Sequence, residues 1–194
     1  MSTGARQRSY VARAFADEVA AALAPACERI EIAGSIRRQA ETIGDIEIVA
    51  IPRFNVERTP GTLFGGPETT QIDLLGERVR ALLVEGTFAP PPRPASGERY
   101  RRLIHVRSGL QLDLFAVLPP AQWGVILAIR TGPAAYSQWL VWQARKRHFH
   151  VAGGALHRGG LGCGALPCEV VETPEERDLY AALGLPYQPP ETRR

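Results

Sequence analysis

The stretch Gly34-Ser35-Ile36-Arg37-Arg38-Gln39-Ala40-Glu41-Thr42-Ile43-Gly44-Asp45-Ile46-Glu47-Ile48-Val49 constrains this chain more than any other. Its second half alternates acid with isoleucine, the period of a β-strand. Asp45 and Glu47 therefore project from one face while Ile46 and Ile48 bury the other. Two like charges projecting together repel, which is a poor way to stabilise a fold and a good way to hold a divalent cation. The small-residue turn at Gly34-Ser35 and the arginines just upstream suit a phosphate group.

The rest of the chain can be built around that strand. Val11, Phe15, Val19 and Leu23 recur every four residues and predict an amphipathic helix over 10–24, with Ser9 as its N-cap. Ile30 and Ile32 predict a strand running into Gly34-Ser35. A helical turn over 36–40 and a strand over 45–51 follow. Residues 52–70, rich in Pro, Gly and Thr, predict a long surface loop. Ile72, Leu75, Val79, Leu82 and Leu83 predict a second amphipathic helix, closed by Gly86, and a proline-rich loop covers 87–97. Ser108-Gly109 predicts a hairpin turn. The strand after it, 110–117, places Gln111, Asp113 and Phe115 on one face, so Asp113 is a third acid in an apolar strand.

Past Pro119-Pro120 two helices, about 121–130 and 134–147, flank Thr131-Gly132-Pro133. Residues 148–171 are Gly-rich with strand-like fragments. Thr173-Pro174-Glu175-Glu176 has the form of a capping box with proline at the first helical position, opening a helix that stops at Gly184. The expected fold class is α+β: a mixed sheet flanked by helices over 1–118, then a small α/β lobe over 119–194.

A chain of 194 residues with 45% hydrophobic content suffices for one domain or two small lobes with a real core. Three cysteines at irregular spacing give no disulfide framework. With no membrane-length apolar run and no signal-peptide pattern, a cytoplasmic protein with no membrane partner is expected. The net charge is only +3, but basic residues cluster at Arg99, Arg101, Arg102 and Arg107 and again at Arg145, Lys146, Arg147 and His148. Phosphate contacts explain either cluster, and so does a solvated charged face. Lys146 is the only lysine, which leaves amine-based lyase chemistry almost nothing to work with. Trp123, Trp139 and Trp142 at helical spacing suggest packing. His157, Cys163 and Cys168 lack a fourth clear ligand for zinc, and Cys27 suits a small core position.

Phosphoryl and nucleotidyl transfer require cations bridging phosphate oxygens, a clamp on the transferred group and an aligned nucleophile. Asp45, Glu47 and Asp113 can supply oxygen ligands for two Mg²⁺ ions, with Mn²⁺ able to substitute. Ser35 can cradle a triphosphate, and Arg38 can pair with its charge. Taken singly, Asp45 could equally be a strand-entry residue and Glu47 an exposed strand position.

Residues 33–49 resemble the palm motif of family X DNA polymerases, the group of polymerase beta, within the nucleotidyltransferase superfamily. The resemblance continues in Gly109-Leu110-Gln111-Leu112-Asp113-Leu114, through Pro120-Ala121-Gln122-Trp123-Gly124 to Thr131-Gly132, and in Leu166-Pro167 and Leu185-Pro186-Tyr187. It implies a palm domain over 1–118 and a thumb over 119–194. It also implies that Asp45 and Glu47 bind both metals. Asp113 would bind the catalytic one beside the primer 3′-hydroxyl. Gly34, Ser35, Arg38 and Gly44 would contact the dNTP, with Thr131 and Gly132 against its sugar and the nascent base pair. The family has a cis peptide after that glycine, so Gly132–Pro133 is expected to be cis.

The chain departs from the family at Glu47, where Asp is usual, at Ile129-Arg130 in place of an aromatic pair, and at Ser137 in place of a base-contacting Asn. Relaxed discrimination between ribo- and deoxyribonucleotides is expected. The chain starts just upstream of the palm, so no deoxyribose-phosphate lyase activity is expected. Grip on DNA, a primer/template or gapped duplex, would fall to Arg101, Arg102, Arg107, Arg145, Lys146 and Arg147, and would weaken steeply with salt. The implied activity is addition of dNMP to a primer 3′-hydroxyl in short-gap repair, by a monomer. Alternatives are transfer to a protein or small-molecule acceptor, or a non-catalytic DNA-binding relic.

Overall fold

The alternation at Asp45 sets the architecture. In the computed structural model, which describes residues 7–59, 68–93, 97–159 and 168–194, the first part of the chain runs β1 (Gln7–Arg8), α1 (Ser9–Leu23), β2 (Cys27–Ile32), α2 (Gly34–Arg37), β3 (Thr42–Ile43) and β4 (Asp45–Pro52). It continues through β5 (Phe54–Thr59), β6 (Glu68–Asp73), α3 (Leu74–Val84), β7 (Phe88–Ala89), β8 (Tyr100–His105) and β9 (Gln111–Ala116). Five strands form one mixed sheet in the order β2-β4-β9-β8-β7, in which only β4 and β9 are parallel. Ile46, Ile48 and Ala50 of β4, with Leu112 and Leu114 of β9, bury against α1 and α3. The opposite face carries the acids.

The second part comprises α4 (Trp123–Thr131), α5 (Ala134–Lys146), β10 (Phe149–Ala152), β11 (Ala155–Arg158), β12 (Glu169–Val171) and α6 (Glu176–Ala182). Its strands form an antiparallel sheet of their own. Its core gathers Val125, Ala128, Tyr136, Leu140, Leu156, Leu179 and Tyr180. Helices α4 and α6 approach closely at Gly124, where an added Cβ would lie 2.2 Å from the Glu175 carbonyl oxygen.

The two parts meet on the acid-bearing face of the sheet. Ala33, Val49, Phe115 and Val117 pack there against Trp123 and Leu127. Arg29 forks onto the Glu175 carboxylate at 2.6 and 2.8 Å, its guanidinium 4.1 Å over the Trp123 ring. That pair is about half exposed and contributes about 1 kcal/mol or less. Arg99 ties the carbonyls of Pro119 and Gly153 together.

Several local expectations are corrected. Residues 52–70 include the antiparallel pair β5–β6; Phe54 and Val56 stay exposed on it, so turn-rich composition hid a ribbon with little burial. The helical turn lies at Gly34–Arg37 rather than 36–40. Ser9 is inside α1, whose N-cap is Arg8 without a side-chain bond. The buried stripe of α1 is Ala12, Ala16, Val19 and Leu23, since small alanines let the helix sit close.

The capping box of α6 is formed by Glu175 and Asp178. Thr173 is instead fully buried, bonded through its N–H and hydroxyl to Gln122. Among the described residues the cis peptide is Pro119–Pro120, and Gly132–Pro133 is trans, with Gly132 and Pro133 both extended where α4 ends and α5 begins. Trp142 is 49% exposed, whereas Trp123 and Trp139 pack inward. Cys27 is a core residue whose thiol is pushed up to about 11, chiefly by burial. Cys163, Leu166 and Pro167 lie outside the described residues.

Candidate active site

Parallel pairing of β4 with β9 places Glu47 directly beside Asp113, and Asp45 beside Gln111. Neighbouring strands lie about 4.8 Å apart, so the three acids crowd one patch of sheet. Burial first, then repulsion by Asp45 and Asp113, push the Glu47 carboxyl up to about 7, against the pull of Arg130 and Arg38. The Glu47 side chain bends over Gly34, whose φ of +62° and missing Cβ leave room for it.

Asp113 is buried and held by four donors. Its Oδ1 accepts from the Tyr100 hydroxyl at 2.8 Å and Arg102 Nε at 3.0 Å; its Oδ2 accepts from Gln111 Nε2 at 3.1 Å and Arg102 Nη2 at 3.4 Å. Among the described residues no three His, Cys, Asp or Glu side chains are gathered as a metal cluster. The hard carboxylate oxygens on one sheet face fit a Mg²⁺-type ion in chemistry; Asp113 is taken up by protein donors, whereas Glu47 lies over Gly34 at the edge of the cleft.

In front of Asp45 and Glu47 opens a cleft of about 320 Å³, lined on the side of the five-stranded sheet also by Ser35 and Arg38. Its far wall is Ile129, Arg130, Gly132, Pro133, Ala134 and Ser137. The Ser35 hydroxyl is buried here without a hydrogen-bond partner, a state that costs about 1–3 kcal/mol unless a ligand satisfies it. Arg38 reaches across to the Thr131 carbonyl at 2.5 Å. Burial lowers its guanidinium from the ordinary value, opposed by Glu47 and Asp45.

The wall is itself anchored. Arg37 donates to Thr131 Oγ1 at 2.9 Å and to Glu176 at 2.7 Å, and Glu176 also accepts from the fully buried Arg193 at 2.8 Å. Ser137 bonds the Ile129 carbonyl at 2.6 Å, and Arg130 stacks over Phe115 at 4.0 Å.

The structure thus brings Ser35, Arg38, Asp45, Glu47 and Gly132 to one cleft, with Gly34 beneath Glu47. Asp113 sits next to them on the sheet. Thr131 is buried as an anchor, and Gly44 is not among the lining residues. The first arginine cluster divides by strand alternation. Arg102 shares the face of Asp113, Arg101 turns to Asp73 at 2.6 Å, and Arg107 pairs with Glu18 of α1. Arg145 and Lys146 are exposed at the end of α5, and Arg147 bonds Gln143.

Tyr100 and Arg37 are the residues that sequence reasoning missed. Counting back from the Ser108-Gly109 turn would have put Tyr100 and Arg102 on the face of Asp113. Nothing local singled out Arg37 over Arg38.

The raised Glu47 carboxyl has a thermodynamic sign. Between the ordinary carboxyl value near 4.5 and about 7, the folded protein binds more protons than the unfolded chain. Stability therefore falls as pH rises through that window, by at most about 3 kcal/mol. Glu47→Gln should raise the thermal midpoint of the metal-free protein at pH 8 and leave it nearly unchanged at pH 4.5. An equal midpoint at pH 8 would contradict the crowding.

No helix among the described residues is long and apolar enough to cross a membrane. Residues 126–194, roughly the last third of the chain, match the family described as DNA polymerase beta thumb; this part, from within α4 to the C-terminus, is therefore similar to a family X polymerase thumb.

Proposed function

We propose that the protein is a metal-dependent nucleotidyltransferase that adds dNMP from a dNTP to a primer 3′-hydroxyl, releasing pyrophosphate, in short gaps of duplex DNA. The observation that carries this reading is the orphaned Ser35 hydroxyl beside Arg38, in a cleft floored by Asp45 and Glu47 and walled by a thumb-like turn. A triphosphate would satisfy Ser35 and draw on Arg38. Asp45, Glu47 and Asp113 would hold Mg²⁺ or Mn²⁺, which when bound neutralises phosphate charge and lowers the barrier to displacement.

The 3′-oxygen bonds to the α-phosphorus as the α–β bridging bond breaks and the pyrophosphate takes its electrons. Asp113, on the same sheet face, is placed to accept the hydroxyl proton once its present donors yield. Ile129 offers the sugar an aliphatic wall, consistent with relaxed discrimination.

The deciding experiment compares labelled dNTP and NTP incorporation into single-stranded, recessed and gapped primers under Mg²⁺ and Mn²⁺. Incorporation is expected on gapped duplex, with NTP used comparably to dNTP. Nucleotide transfer to protein or small-molecule acceptors alone would replace this reading. Absence of any metal-dependent stabilisation by dNTP would point to a non-catalytic relic.

A further inference from the structure

We infer that Trp142 is a stacking platform for an unpaired base of single-stranded DNA leaving the cleft, and that α5 forms the track leading to it. The strand's identity as a template rests on the polymerase reading above. Trp142 is a large aromatic left 49% exposed on a helix whose other tryptophan, Trp139, packs inward against Tyr136. The Lys146 ammonium lies 4.0 Å from its ring centroid. A ring has two faces, and the cation occupies one.

Ala134, Gln138, Trp142 and Arg145 recur at helical spacing, and all are exposed. Ala134 also lines the cleft, so the stripe begins at the site and runs outward. The charge on α5 itself has one sign: the helix carries Arg145 and Lys146, both exposed, and no Asp or Glu. An exposed aromatic beside cations on an acid-free helix suits single-stranded nucleic acid, which offers a π-face at every base and a phosphate at every step. The eight residue steps from Ala134 to Trp142 span about 12 Å of helix, equivalent to about three to four stacked nucleotides.

The test uses a primer/template duplex with a 5′ template overhang carrying 2-aminopurine about four nucleotides beyond the primer end, and a flush duplex for comparison. Neither dNTP nor metal is added. The protein should bind the overhang duplex about tenfold more tightly than the flush one, with quenching of the 2-aminopurine. Trp142→Ala should erase both the preference and the quenching, and Trp142→Phe should keep most of each. Exposure of Trp142 means neither variant should unfold, and the thermal midpoint checks this.

A wild-type protein with no overhang preference, or a Trp142→Ala variant that retains it, would overturn the inference. Incorporation without overhang preference would sink this inference alone. Overhang preference without incorporation on any primer would sink the transferase reading alone.

Discussion

Asp113→Asn is expected to lower dNMP incorporation on gapped duplex by about three orders of magnitude, the equivalent of about 4 kcal/mol of transition-state stabilisation. The substitution keeps the volume of the side chain and an oxygen for Tyr100, but removes the charge that a catalytic cation and a departing proton both require. The loss should not come from unfolding. Arg102, the cation left without its partner, is 36% exposed and can turn to water, so the thermal midpoint should move by only a few degrees. Single-turnover incorporation measured beside that midpoint separates the two effects. Wild-type activity in the variant would remove Asp113 from the proposed chemistry.

Glu176→Ala is expected to cost about 3–5 kcal/mol of stability, because it strands the buried Arg193 and leaves Arg37 only Glu31, at 3.7 Å, as a counter-ion. Glu176 is 5% exposed and accepts from Arg37 and Arg193, the latter fully buried among the rings of Tyr136, Tyr180 and Tyr187. Although burial alone would raise it, bonding to Arg37 and Arg193 holds its carboxyl below the ordinary value of 4.5. A carboxyl depressed on folding contributes stability that is present above the unfolded value and lost as pH falls through the folded one. The wild type should therefore lose this support in acid below about pH 4.5, and the variant should show a flatter acid limb. Urea unfolding at pH 7 and pH 4 measures both. Since Arg37 also holds Thr131, the variant should bind dNTP more weakly than its stability loss explains. A variant as stable as the wild type at pH 7 would show that the two arginines find other partners.

What could be read from the sequence follows from where a pattern is local. The alternation through Asp45 and Glu47 specifies a strand with its acids on one face and isoleucines on the other, and β4 has it. The helices on either side of Thr131-Gly132 and the last helix were legible because each buries one stripe of its own residues, and the strand bearing Asp113 because it is a short apolar run, buried on both faces. The ribbon β5–β6 was not, because Phe54 and Val56 bury little and turn formers dominate its neighbourhood. The true cap of α6 was hidden because Thr173, the better cap by residue type, is taken by the distant Gln122. The cleft is legible only in part. Acids and Ser35 sit in one motif, but the bonds that tether Asp113 to Tyr100 and Arg37 to Thr131 cross between elements. The exposure of Trp142 depended on what the rest of α5 packs against, which spacing alone does not reveal.

Gly34 and Glu47 belong to different elements, yet they form one interlocked unit. A β-carbon at residue 34 would lie 1.8 Å from Glu47 Oε2, so the absence of a side chain at one position is what gives the acid at the other its berth. The additional methylene that distinguishes glutamate from aspartate supplies the reach across that gap. An aspartate at 47 would withdraw from Gly34, and an alanine at 34 would expel the glutamate. Drift or design at residue 34 is thus answerable to the acid at 47, whereas residue 47 can change while Gly34 stays.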